Sequence, residues 1–346
     1  MIPWRNPGVM AALAAALLFG LGTPLAKPLL GETSPWLLAG LLYLGSGLGL
    51  CIVRLLRRAR PVKLAASDAG WLAAAIVTGG MIAPVLLMWG LTRMPASGAS
   101  LLLNAEGVFT ALVAWFAFRE QFDRRIALGM ALIVAGALVL SWPGEADFGA
   151  ALPALSVLGA CFAWALDNNF TRKVALSDAT FIAMMKGLVA GGVNLGLALA
   201  TGATLPATSM VFAAGALGFV SYGLSLVLFV IALRHLGTAR TGAYFSTAPF
   251  AGASVAVLLL NEPLTPLLAV AGLLMACGVW LHLTERHQHA HSHETLEHDH
   301  EHEHDAHHQH EHAGVEGGAP HTHPHRHEAM SHTHGHFPDA HHRHKH

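Results

Sequence analysis

The chain has 346 residues, of which 53% are hydrophobic and only 12% charged, whereas an ordinary soluble domain carries about a quarter charged residues; a soluble globular fold is excluded. The formal net charge of −1 conceals two opposite regions: residues 1–281 hold 16 of the 20 Lys+Arg and 10 of the 21 Asp+Glu and are net +6, and the remainder is −7 with its histidines neutral. Cys51, Cys161 and Cys277 each lie in an apolar run and none belongs to a Cys-x-x-Cys pair, which excludes zinc and redox motifs of that type and leaves them as small buried hydrophobes.

The first apolar run follows a lone Arg5, lacks a small-residue cleavage site and is followed by many more, so it reads as a span and not as a signal peptide. A helix must supply about 20 mostly apolar residues to cross the hydrocarbon core, where every backbone polar group has to be satisfied internally. Ten stretches meet this requirement: 9–29, 36–56, 70–90, 97–117, 125–142, 151–171, 179–200, 210–233, 241–260 and 266–283. The expected fold is therefore all-α and membrane-integral. With the amino terminus inside, the cytoplasmic segments collect Arg5, then Arg54, Arg57, Arg58, Arg60 and Lys63, then Arg119, Arg124 and Arg125, then Arg172 and Lys173, then Arg234 and Arg240, and finally Arg286. The opposite loops hold Arg93, with Lys27 at a span end. Retention of Lys and Arg on the cytoplasmic side thus orients the chain with both termini inside.

A shift of 142 residues places Glu120 on Glu262, Ala127 on Ala269, Leu132 on Leu274 and Gly136 on Gly278. Asp123 and Thr265 both fall where a side-chain oxygen can cap the following helix, with Pro266 at the first helical position. Because each half has an odd number of spans, the second copy enters the membrane from the opposite face. This is the inverted repeat of many secondary transporters, whose substrate site lies near the midplane between halves. The expected divisions are 1–143, 144–284 and a tail, 285–346.

Along the chain, ionisable groups inside spans are the default functional candidates because they are costly there. Glu106, about midway along span four and close to Asn104, has no basic residue within a helical turn; it can bind a cation, alternate between protonated and charged forms, or serve only as a hydrogen-bonding neighbour. Asp167, Asn168 and Asn169 cluster in span six before Arg172 and Lys173. A helix turns about 100° per residue, so one of the three is expected to face the cavity and the others to cap the helix end or pair with those cations. Lys186, seven residues into span seven, lies about 10 Å deep, within snorkelling reach of the interface; the alternative is a counter-charge for Glu106 or Asp167. Asn194, Ser221, Tyr222, Tyr244 and Ser246 are weaker candidates that can act as interhelical glue. Pro24, Pro84 and Pro249 interrupt spans and can kink them.

From His282 onward there are 24 histidines in 65 residues, interleaved with acids. Neutral imidazole is the commonest protein metal ligand and suits zinc, copper, iron and nickel. His287, His289, His291, His293, His298, His300, His302, His304, His307, His308, His310 and His312 are the densest candidate ligands. Poor in large apolar residues, the tail cannot bury a core and is expected to be disordered without metal. Residues 300–304 spell H-E-x-x-H, which in a low-complexity run is a chance match and not a catalytic zinc site.

The Arg119-Glu120 and Asn261-Glu262-Pro263-Leu264-Thr265 turns, each followed by a Gly-containing last span, resemble the drug/metabolite transporter superfamily, in particular its tandem EamA-type carriers, over residues 8–284. Phe19-Gly20 near Lys27, and Phe162-Ala163-Trp164 before Arg172-Lys173, are similar to the family's first-span pattern. The resemblance implies a ten-helix carrier, usually an exporter, with a central cavity lined by spans one to four and six to nine. The histidine tail resembles those of members associated with nickel and cobalt resistance. No P-loop is present, so direct ATP drive is not supported, and no enzymatic chemistry or required cofactor is indicated.

The expectation is a secondary carrier of a bacterial-type cytoplasmic membrane that exports a divalent transition metal, Ni2+ or Co2+ first. Protons couple through Glu106 with help from Asp167, and the tail chelates or senses Ni2+, Co2+ or Zn2+. The alternatives are an exporter of amino acids or other small metabolites with a metal-responsive tail, and a membrane-tethered metal store. Expected partners are the lipid bilayer, transition-metal ions and a second copy as homodimer, with no nucleic acid. No histidine lies deep in a span, His235 and His282 being near the ends, so a metal would have to pass on oxygen ligands, with Cys161, Met184 or Met185 in reserve.

Overall fold

A computed structural model describes residues 7–31, 33–59, 61–62, 64–118, 124–141, 148–175 and 177–283, together with four short strands of the tail. They fall into two compact units, Met1–Glu285 and Arg286–His346. Every apolar stretch of the first unit is helical, and the ends agree with the sequence-derived spans to within a few residues. Eight helical runs are long and apolar enough to cross a membrane, from Pro7–Leu29 to Thr241–Leu259. Spans five and ten carry the shorter apolar stretches Ala127–Val139 and Pro266–Leu281.

The starts of the spans follow from local chemistry. Ser34, before Pro35, accepts a hydrogen bond from the Leu37 amide at 3.2 Å and caps span two, Pro35–Leu56. Asp178 does the same for span seven, Ala179–Ala200, through Phe181 at 2.8 Å. Thr265 caps span ten, Pro266–Leu283, through Leu268 at 3.1 Å, as its position before Pro266 predicts. Arg119, Glu120 and Asp123 lie outside the described residues.

The inverted repeat is written into the contacts. A Cβ added to Gly136 in span five would strike the Ala271 carbonyl and Met275 of span ten, and one added to Gly278 would strike the Gly129 carbonyl and Ile133 of span five. Residues 278, 271 and 275 are 136, 129 and 133 moved on by 142, so each helix notches into the other by the same positions. Spans two and seven cross likewise, Gly47 against Leu188 and Gly191 against Leu44, at a shift of 144. Small residues let these backbones touch, which is how helices associate where burial from water supplies no drive.

Among the described residues, five spans are not plain α-helices. Span one breaks at Leu21, between Pro7–Gly20 and Gly22–Leu29. Span four breaks at Leu103 and Asn104, between Ala96–Leu102 and Ala105–Phe118. Span nine breaks at Ser246 and Thr247, before Ala248–Leu259, 142 to 144 residues after the break in span four. Spans three and eight each contain a π-helical turn, Ile76–Ile82 and Phe219–Leu224, again in equivalent places. Pro24 and Pro249 lie just after two of the breaks, and Pro84 just after a π-turn, which accounts for the interruptions expected of them.

In the second unit, His289–Ser292 pairs antiparallel with Ser331–His334, and Leu296–His302 with His321–His327. Histidine alternating with a small or acidic residue has the period of a strand, so the backbone can pair although nothing apolar is covered. A two-stranded ladder on its own is marginal in water. His289, His291, His298, His300 and His302 stand on these strands; His287, His293, His304, His307, His308, His310 and His312 lie outside the described residues.

Candidate functional site

The helix breaks and π-turns converge on a chamber of about 430 Å3. Its wall is aromatic: the Phe19 ring lies 5.7 Å from Trp164, 5.7 Å from Tyr222 and 5.2 Å from Phe245. Tyr43 stacks against Tyr222 at 5.3 Å, and Phe229 against Phe245 at 4.8 Å. Into this wall are set Glu106, Asp167, Asn168 and Lys186. A second cavity of about 410 Å3 shares Phe19, Glu106, Asn168 and Phe245 and extends to Ser246 and Pro249 at the span-nine break. Glu106 therefore borders both.

Glu106 is the second residue of the half-helix Ala105–Phe118, where the positive end of the helix dipole favours a negative charge. It is 8% exposed, and its Oε1 accepts from Asn168 Nδ2 at 2.8 Å. The same amide donates to Thr110 Oγ1 at 3.3 Å. Discontinuous helices whose ends meet at mid-bundle are the construction that transporters use for charged cargo. Gly107 lies against the break of span nine: a Cβ there would sit 3.0 Å from Ser246 Oγ.

Asp167 and Lys186 form a closed pair. The Lys186 ammonium, 1% exposed, donates to both Asp167 oxygens at 2.6 Å, and Thr171 donates to Asp167 Oδ1 at 2.8 Å. This corrects the expectation that Lys186 snorkels: the helix face it occupies points into the bundle, so a nearby carboxylate serves it where the interface cannot. The one-of-three expectation for span six is also corrected. Asp167 and Asn168 both line the chamber, and Asn169 turns away to the Thr110 and Ala165 carbonyls. Asn104 sits in the span-four break, its amide donating to the Leu101 carbonyl at 3.0 Å, and is not part of the chamber wall. Its place is the break itself.

Three features were not anticipated. Gly79 O, freed by the first π-turn, accepts from Tyr43 OH at 2.7 Å and Trp164 Nε1 at 2.9 Å, and Gly80 O from Asn194 Nδ2 at 3.1 Å. Glu262, read from sequence only as a mark of the repeat, reaches across to span four, where the Ala96 and Ser97 amides donate to its carboxylate at 2.8 and 2.9 Å. Burial alone would raise its pKa, but these bonds and the Lys27 charge hold it below the usual carboxylate value. At the end of the bundle that carries Asp178, Arg54 bonds Asp178 at 2.6 Å. No group of three or more His, Cys, Asp or Glu side chains that could hold a metal gathers among the described residues.

The description "EamA-like transporter family" matches residues 6–142 and 151–284, one match in each half. An "Uncharacterized transporter" of Methanothermobacter thermautotrophicus is 30% identical over 79% of this chain and 85% of its own length. A "Probable amino-acid metabolite efflux pump" of Escherichia coli is 28% identical over 55% of this chain and 68% of its own. A "Probable terminal-alkyne amino-acid exporter" of Streptantibioticus cattleyicolor is 29% identical over 62% and 73%. A solved crystal structure shares the fold, with a TM-score of 0.66 at 18% identity over 81% of this chain and 99% of the other.

Proposed function

The chain belongs to the EamA-like transporter family, and from that premise we propose that this multi-pass membrane transporter exports a small amine-bearing metabolite of the amino-acid type, with protons carried on Glu106. The observation that carries the reading is the aromatic chamber with one carboxylate, Glu106, that has amide and hydroxyl neighbours and no ion-pair partner among the described residues. An ammonium group fits such a wall twice over, through the carboxylate and through the faces of the rings. When Glu106 takes up a proton, that attraction is removed, and cargo and proton compete for one site. The names of the Escherichia and Streptantibioticus relatives agree with this substrate class. The distribution of Lys and Arg supports a cytoplasmic-membrane orientation with both termini inside.

A metal carrier of the Ni2+ or Co2+ type is the second reading, and the 24 histidines of residues 282–346 favour it. Against it, no group of three or more His, Cys, Asp or Glu side chains that could hold a metal gathers among the described residues, and the Asp167 carboxylate is taken up by Lys186. In the first reading the tail is a metal-responsive or metal-buffering segment. One experiment separates them: cells with and without the protein are loaded with an amino-acid panel and, separately, with Ni2+, Co2+ and Zn2+, and retained contents are compared. Faster amino-acid loss with unchanged metal content supports the first reading; lowered nickel or cobalt content with unchanged amino acids overturns it.

A further inference from the structure

The two π-turns occupy equivalent places but are finished differently. At Gly79 and Gly80 the first half presents bare backbone, and its freed carbonyls are bound by Tyr43, Trp164 and Asn194. A shift of 142 residues leads to Ser221 and Tyr222 in the second half. Here hydroxyls replace the two glycines, and both line the chamber. Ser221 is 0% and Tyr222 5% exposed, yet neither Ser221 Oγ nor Tyr222 OH has a hydrogen-bond partner. A buried hydroxyl without a partner is destabilising, and two adjacent ones on a π-turn, a feature frequent at functional sites, call for a ligand. Ser225, one turn on, does not share this state, because it donates to the Ala15 carbonyl at 2.8 Å.

We propose that Ser221 and Tyr222 form a recognition subsite for the carboxylate of the cargo, so that the substrate is a zwitterion held by its ammonium at Glu106 and by its carboxylate at the two hydroxyls. The proposal rests on the amine-exporter reading above and adds the second anchor. Lys186 is not that anchor, since Asp167 occupies it with both oxygens. Gly22, at the start of the second half-helix of span one, packs against both residues: a Cβ there would sit 3.2 Å from Ser221 Cβ and 3.6 Å from Tyr222 Cε2.

The test uses the purified full-length protein in lipid nanodiscs and three probes: L-phenylalanine, 2-phenylethylamine and 3-phenylpropionate. Wild type should bind phenylalanine at least about tenfold more tightly than the amine, as expected for a hydrogen-bonded charged group. Tyr222→Phe and Ser221→Ala should each weaken phenylalanine about tenfold and leave the amine unchanged, erasing the preference. Gly22→Ala, which crowds Ser221 while leaving both hydroxyls in the chain, should do the same, and it stands in if a hydroxyl variant does not fold. Equal loss of both ligands, or no loss of either, overturns the subsite while leaving the amine reading intact. Wild type that binds none of the three probes overturns the amine reading and the subsite together.

Discussion

Two carboxylates line one chamber, and their surroundings could hardly differ more. Asp167, on the uninterrupted helix Phe148–Val174, is met by a lysine ammonium on both oxygens and by a threonine hydroxyl. Glu106, at the mouth of a broken helix, is met by a neutral amide. A charge neutralised in place holds helices together, whereas a charge without a counter-ion is available to something that arrives. In the proposed exporter, the pair of spans six and seven is the fixed part of the site, and the break in span four is the working part.

The largest effect should come from breaking the fixed part. Lys186→Met leaves Asp167 buried and unpaired, which costs about 3–5 kcal/mol. The melting temperature in detergent should fall steeply, and Lys186→Met combined with Asp167→Leu should recover most of it; a single variant as stable as wild type would show that Asp167 is held by something else. Gly79→Ala attacks the same pair from outside, because the new methyl would collide with the Asp167 carboxylate. A loss of about 1–3 kcal/mol is expected by overpacking, and binding of amine cargo by the surviving fold should be unimpaired if Glu106 is independent of the pair.

Glu106→Gln should behave in the opposite way. Glutamine still accepts from Asn168, so stability should change by less than about 1 kcal/mol, while amine efflux should drop at least tenfold. The smallest effect belongs to Glu262, which lies outside the chamber. Glu262→Gln weakens the cap on span four by about 1 kcal/mol. Since the folded-state pKa of Glu262 is lowered, its stabilisation is full above the unfolded value of about 4.3 and disappears as pH falls through the folded one. Wild type and variant should therefore differ in melting temperature at neutral pH and converge in strong acid.

The spans were legible because a run of about 20 apolar residues has few alternatives, and Thr265-Pro266 carried its cap in two adjacent residues. Glu106 was legible for the same reason in reverse, as an ionisable residue in an apolar run. Pro24, Pro84 and Pro249 announced the interruptions of spans one, three and nine, but the span-four break and the second π-turn were not legible, since α- and π-helical backbones share one apolar pattern and Leu103-Asn104 contains no turn residue of the glycine or proline kind. Depth along span seven could not reveal that Lys186 faces Asp167, which depends on how two helices are rotated. Ser221 and Tyr222 stood among the weaker candidates because their unmet hydroxyls exist only in three dimensions.

The difference between the two carboxylates is tested most directly by proton-driven efflux. Proteoliposomes containing the full-length protein are loaded with L-phenylalanine and given a pH gradient, and the rate is compared with gradient-free exchange. Wild type should accelerate with the gradient, and Glu106→Gln, which also loses the ammonium anchor, should retain only slow exchange and lose the response to the gradient. A Glu106→Gln protein whose efflux responds to the gradient as wild type does would contradict the assignment of the working carboxylate to span four.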